Sequence, residues 1–112
     1  MSVARIVRCA RHALVVAFVI AVATLTDGRA ASTHTVVMDG TRFVPETVTV
    51  RRGDRVVWLN KDPFPHTATA SKAFDSKSVP AGGSWSYTVA ETGEFPYVCT
   101  LHPGMKGVLI VK

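Results

Sequence analysis

The feature of this sequence that most limits its fold is a succession of short strand-like runs, each ended by a turn signal, from Thr33 to the last residue. β-Branched and aromatic residues alternate with polar ones in these runs, and no run has a helical period. The pattern therefore predicts an all-β sandwich or barrel of about seven short strands. The longest irregular segment is expected from Ser71 to Gly83, with Phe74 as its anchor. The clearest runs are Thr35–Met38, Thr47–Arg51, Arg55–Asn60, Ser84–Val89, Phe95–Cys99 and Gly107–Lys112.

The first 30 residues have the composition of a secretory signal peptide. Three arginines precede an uninterrupted apolar run from Ala13 to Ala23, and the small residues Gly28 and Ala30 follow it. The alternative is an uncleaved membrane anchor, but the run is well short of the roughly 20 apolar residues that a span needs. The sequence therefore predicts a signal peptide over residues 1–30 and one mature domain over residues 31–112. It also predicts export to the periplasm, with no membrane span after cleavage.

Charge and cysteine content change once the signal peptide is set aside. The whole chain has a formal net charge of +5, but residues 31–112 keep nine basic and seven acidic side chains, and no basic stripe indicates nucleic-acid binding. Cys99 is then the one remaining cysteine, so an internal disulfide is excluded. A lone thiol in an oxidising compartment is expected to be buried or bound to a metal. A monomer is expected.

Four side chains form a candidate metal site. Cys99, His102 and Met105 follow one another at intervals of three residues between two strand-like runs, and His66 lies at the end of another run. One thiolate, two imidazoles and a weak axial thioether are the ligands of a blue-copper electron-transfer site, and the thioether favours copper over zinc. Two alternatives remain open. Zinc is one, and a nucleophile–base pair of Cys99 and His102 is the other, although no third orienting residue is visible.

These residues resemble the ligand loop of the cupredoxins, and the short Cys-x₂-His-x₂-Met spacing is similar to that of the amicyanin and pseudoazurin branch. Plastocyanins resemble it with a longer His-to-Met gap. The surroundings also match over about residues 33–112, nearly the whole predicted domain. The matching motifs are Trp58-x-Asn60-x-Asp62 before Pro65-His66, Gly93-x-Phe95-x-Tyr97-x-Cys99, and Gly107-x-Leu109-x-Val111. The resemblance implies a small Greek-key β-sandwich of about seven to eight strands.

The resemblance also implies roles for individual residues. His66, Cys99 and His102 would be the equatorial copper ligands and Met105 the axial one, with the Pro65 carbonyl on the side opposite Met105. His102 would be the solvent-exposed edge through which electrons pass to a donor dehydrogenase or a cytochrome. The apolar docking patch around it would consist of Phe64, Pro65, Pro103, Gly104 and Met105. The implied function is electron transfer, without enzymatic chemistry.

Two positions depart from this picture or add to it. Relatives carry Asn immediately after the first ligand, whereas this chain has Thr67, which is expected to bond Thr100 instead and to leave a looser hydrogen-bond network. His34 is expected to be an ordinary polar residue. If cleavage followed Ala31, however, the mature terminus would place an amine beside this imidazole, an arrangement able to hold Cu(II). The alternative function is copper storage, delivery or resistance.

Overall fold

The structure, a computed structural model, describes residue 17 and residues 29–112. Within these residues it contains nine strands and no helix, which confirms the predicted all-β class. In chain order the strands are β1 (Thr33–Met38), β2 (Phe43–Val44), β3 (Thr47–Val50), β4 (Arg55–Asn60), β5 (Thr69–Ala70), β6 (Phe74–Asp75), β7 (Ser84–Thr88), β8 (Gly93–Val98) and β9 (Lys106–Val111).

The strands form two mixed sheets. One has the order β2-β1-β4-β7 and the other the order β3-β9-β8-β5-β6. The pairs β1–β4 and β3–β9 are parallel, and the other pairs are antiparallel. Both sheets therefore bring the end of β4 and the end of β8 to one end of the sandwich. That end carries the predicted ligands.

The strand count is higher than the seven to eight that were expected. The additional elements are β5 and β6, and β6 lies inside the segment from Ser71 to Gly83 that was predicted to be irregular. Strands of two residues are too short to show a period of two in the sequence. The predicted anchoring role of Phe74 is confirmed, because its side chain is 7 % exposed and belongs to the core.

The core lies between the sheets and is centred on aromatic side chains. Trp58 is fully buried, and its ring centroid lies 5.3 Å from Phe74, 5.5 Å from Trp85 and 5.6 Å from Tyr97. Such tilted and edge-to-face pairs add about 0.5–1.5 kcal/mol each beyond the burial of apolar area. Because Tyr97 lies on β8 two residues before Cys99, this packing fixes the strand from which the ligand loop leaves.

Tyr97 packs directly against the backbone of β9. A Cβ atom at Gly107 would lie 2.5 Å from Tyr97 Cζ and 2.8 Å from the Glu46 carbonyl oxygen, so only glycine fits there. The hydroxyl of Tyr97 and the indole nitrogen of Trp58 are buried and have no hydrogen-bond partner among the described residues. Desolvation raises the pKa of Tyr97 to about 12.

The predicted signal peptide, residues 1–30, lies outside the described residues except for positions 17, 29 and 30. Its cleavage and the boundary of the mature domain therefore remain predictions. Within the described part of the chain, no helix has the length and apolar character needed to cross a membrane.

Candidate metal centre

The four predicted ligands lie on two loops at the same end of the sandwich. His66 lies in the connection from β4 to β5, where its backbone pairs with that of Val79. Cys99, His102 and Met105 lie between β8 and β9. Their loop is closed by two backbone hydrogen bonds, one from the Cys99 amide to the Met105 carbonyl at 3.0 Å and one from the Met105 amide to the His102 carbonyl at 3.1 Å.

The structure brings His66 and Cys99 together at the spacing of two ligands to one ion. The distance from His66 Nδ1 to Cys99 Sγ is 3.7 Å. An ion about 2.0 Å from nitrogen and about 2.3 Å from sulfur, with a trigonal angle of about 120°, would separate these atoms by about 3.7 Å. The ring centroids of His66 and His102 are 4.7 Å apart. Across residues 29–112, however, no three His, Cys, Asp or Glu side chains form a group that could hold a metal.

The imidazole of His66 is oriented by the carboxylate of Asp62. His66 Nε2 lies 2.7 Å from Asp62 Oδ2, and both side chains are buried. Burial alone raises the pKa of Asp62, but hydrogen bonds from the Thr41 amide, from His66 and from the Gly40 amide outweigh it and lower this pKa. Asp62 is therefore an anion that accepts a hydrogen bond from Nε2, so that Nδ1 is the ring nitrogen that faces Cys99.

Asn60 holds the loop that leads to His66. Its side-chain amide donates to the carbonyls of Phe64 and Val79, at 2.8 and 3.1 Å, and its side-chain oxygen accepts from the Asp62 amide at 2.9 Å. These three hydrogen bonds fix the turn that precedes His66. The additional contact between Asp62 and His66, four residues apart, has no signal in the strand pattern.

Thr67 joins the two ligand loops, as the sequence predicted. Its amide donates to Cys99 Sγ at 3.3 Å, and its hydroxyl accepts from the Thr100 amide at 2.9 Å and from the Thr69 hydroxyl at 3.0 Å. The Thr67 and Thr100 hydroxyl oxygens are 3.1 Å apart, so this pair completes the one-donor, two-acceptor capacity of the Thr67 hydroxyl. Whether this network is looser than one built on Asn remains a prediction.

The end of the molecule near His102 carries exposed apolar side chains. His102 is half-buried and its ring centroid is 5.2 Å from that of Phe64, which is 38 % exposed. Leu101 is 50 % exposed and was missed by the sequence analysis, because a single leucine between Thr100 and His102 has no distinguishing pattern. Met105, in contrast, is 3 % exposed, so its predicted place on the surface of the patch is wrong.

His34 lies on β1, away from these residues. Its Nε2 is 3.0 Å from Asp54 Oδ2, and its backbone is in register with Val56 of β4. Asp54 also accepts from the amides of Ser32 and Arg51, and these two hydrogen bonds together with the one to His34 hold its pKa well below the usual range. The imidazole is therefore occupied in a structural contact, which disfavours the alternative of a terminal Cu(II) site.

Comparison with known proteins agrees with the fold. The family model described as "Cupredoxin-like domain" matches residues 11–111, so the chain belongs to the cupredoxin-like family. Amicyanin from Paracoccus versutus is 30 % identical over 77 residues, covering 63 % of this chain and 58 % of that protein. Plastocyanins are among the further curated relatives. The chain spans a little over half the length of the first curated relatives that it matches.

Solved structures show the same architecture. A Cu(I) amicyanin variant superimposes with a TM-score of 0.68 at 23 % identity, over 71 % of this chain and 82 % of that one, which shows the fold. A copper-containing nitrite reductase from Thermus scotoductus SA-01 matches with a TM-score of 0.67 at 28 % identity, over 71 % of this chain but only 22 % of that enzyme.

Proposed function

We propose that His66, Cys99, His102 and Met105 bind one copper ion, and that the chain carries single electrons between redox proteins in the periplasm. The observation that carries this proposal is the 3.7 Å spacing of His66 Nδ1 and Cys99 Sγ, with the other nitrogen of His66 occupied by Asp62. This spacing fits a trigonal N–S site. Membership of the cupredoxin-like family supports the same conclusion.

The residues of this chain supply binding, rigidity and access. Bound copper supplies the one-electron chemistry, whereas Asp62 and Thr67 hold the first histidine and the cysteine sulfur in fixed positions. The half-buried His102 lies beside exposed Phe64 and forms the edge at which a donor dehydrogenase or a cytochrome would dock. A nucleophilic role is disfavoured because Cys99 is 3 % exposed. Copper delivery is disfavoured because Met105 is equally buried, and exchange needs accessible ligands.

The test is a visible spectrum and a redox titration of the protein loaded with Cu(II). The parent is expected to show an intense thiolate-to-copper band near about 600 nm and reversible one-electron cycling, and Cys99→Ala is expected to lose the band. His34→Gln, which removes a histidine outside the site, should keep it. A colourless protein that holds zinc would contradict the proposal, and rapid loss of copper to a chelator would favour delivery. Cell fractionation tests the periplasmic location.

A further inference from the structure

A cleft of about 510 Å³ lies at the end of the sandwich opposite the ligand loops. Its walls come from the segment before β1, from the turn between β3 and β4, and from the residues that precede β8 and follow β9. Residues 29 and 30 of the first wall belong to the predicted signal peptide, whereas the other walls lie within the predicted mature domain. Because the ligands lie where β4 and β8 end, and this cleft lies where the same strands begin, the two sites face opposite directions.

The charges that line this cleft are unbalanced. Arg51, Arg52 and Lys112 are exposed, and their side chains make no hydrogen bond or ion pair with any described residue. The acidic side chain in the lining is Asp54, which is 3 % exposed. Its carboxylate already accepts from the amides of Ser32 and Arg51 and contacts His34, with the Arg29 guanidinium 3.4 Å away.

Neighbouring side chains do not restore the balance. Arg55 is not part of the lining, and its guanidinium donates to the Ser86 hydroxyl at 2.9 Å. Thr92 adds a hydroxyl to the lining. Among the described residues, three cations without partners, one hydroxyl and a satisfied carboxylate therefore surround a concave space. The sequence alone indicates that Arg51 and Arg52 lie on a solvated surface, because it does not show that the Asp54 carboxylate already accepts hydrogen bonds from backbone amides.

We propose that this cleft binds a phosphate group, either free phosphate or the head group of an anionic phospholipid. Planar guanidinium groups match the oxygen pairs of phosphate and bind them bidentately, and the concave shape suits a compact anion better than a flat protein surface. A phosphate group bound in this cleft leaves the opposite end of the sandwich, with His102, free to contact a redox partner. The proposal does not depend on copper binding, so the two can fail separately.

The test uses the copper-loaded full chain with two double variants of equal charge. In Arg51→Gln/Arg52→Gln the cleft loses two cations, whereas Arg42→Gln/Lys61→Gln removes two exposed cations at the ligand end. Binding is measured with inorganic phosphate by calorimetry, and with vesicles of phosphatidylglycerol or phosphatidylcholine by co-sedimentation. All three proteins share the N-terminal apolar segment, which can bind either lipid, so the contribution of the cleft is read as the binding to phosphatidylglycerol in excess of that to phosphatidylcholine.

The cleft variant is expected to bind at least about tenfold more weakly than the parent, and the control variant within about twofold. If the cleft variant loses binding only to inorganic phosphate, the ligand is free phosphate. If the cleft variant loses binding only to phosphatidylglycerol vesicles, and about 0.5 M salt suppresses the binding of these vesicles to the parent, the ligand is the lipid head group. Equal binding by the two variants, or no binding of either probe by the parent, would overturn the proposal. The visible spectrum of every variant should remain that of the parent.

Discussion

The hydroxyl of Thr67 connects the two ligand loops, and its removal tests how they are held together. Thr67→Val keeps the shape and volume of the side chain but removes the oxygen that accepts from the Thr100 amide at 2.9 Å and from the Thr69 hydroxyl at 3.0 Å. The hydrogen bond to Cys99 Sγ comes from the backbone amide of residue 67, so the substitution leaves that contact in place.

The expected loss of stability follows from where the three partners lie. Thr67 is 5 % exposed, so valine at this position prevents water from replacing the hydroxyl beside the Thr100 amide. An unsatisfied amide costs about 1–3 kcal/mol. The hydroxyls of Thr69 and Thr100 are closer to solvent and can bond water, so their loss adds little. For a domain of this size, about 1–3 kcal/mol corresponds to a fall in Tm of roughly 5–20 °C.

The assay is urea unfolding of the copper-free protein, with Thr67→Ser as the matched control. Serine keeps the oxygen and is expected to retain most of the stability that valine loses. The copper-loaded valine variant should keep its thiolate band, because the sulfur keeps its amide donor, but it should release copper to a chelator faster. If the free energies of unfolding of Thr67→Val and the parent agree within about 0.5 kcal/mol, the hydroxyl does not hold the loops together.

Three further substitutions test other parts of the structure. Gly107→Ala should destabilise the protein by about 1–3 kcal/mol in urea, because its Cβ would lie 2.5 Å from Tyr97 Cζ; an unchanged midpoint would contradict this packing. Tyr97→Phe should be neutral or stabilising at pH 7, because the hydroxyl has no partner among the described residues. The parent should also lose stability between about pH 10 and pH 12, since the unfolded tyrosine ionises first, and this variant should not share that loss. Asp54→Asn should lower stability at neutral pH and flatten its decline below about pH 4. The lowered pKa of Asp54 contributes its full stabilisation above the pKa of the unfolded carboxyl, and this contribution is lost progressively as the pH falls towards the folded pKa; parallel pH profiles for the two proteins would refute that role.

The fold was predictable because the long strands carry a clear period of two. β4 shows it directly, with Val56, Trp58 and Asn60 buried and the residues between them less so. The short strands β5 and β6 have no such signal, since two residues cannot display a period. β5 pairs with β8 across the sheet and β6 pairs with β5, and a local pattern does not contain the contact with β8.

The candidate ligands could be proposed from the sequence alone, because Cys99, His102 and Met105 are close in sequence and differ in type from their neighbours; that they bind copper remains a prediction. The groups that orient them were predictable only in part. The hydrogen bond from Thr100 to Thr67 was anticipated and is present. The contact of Asp62 with His66 was not, because the same carboxylate also accepts from Gly40 and Thr41, at 2.8 and 2.9 Å, and the position of that turn beside the site depends on the β1–β4 pairing.

These contacts hold His66 from both sides along the chain. Before it, Asp62 binds its ring and also fastens the turn after β1; after it, Thr67 is hydrogen-bonded to the cysteine loop. Neither contact requires a metal, so the 3.7 Å spacing of Nδ1 and Sγ is set by the protein itself. A site whose spacing is fixed in advance changes little when the charge of its ion changes by one. Such rigidity favours a carrier of electrons over a carrier of copper, since release of the ion would require these buried contacts to open.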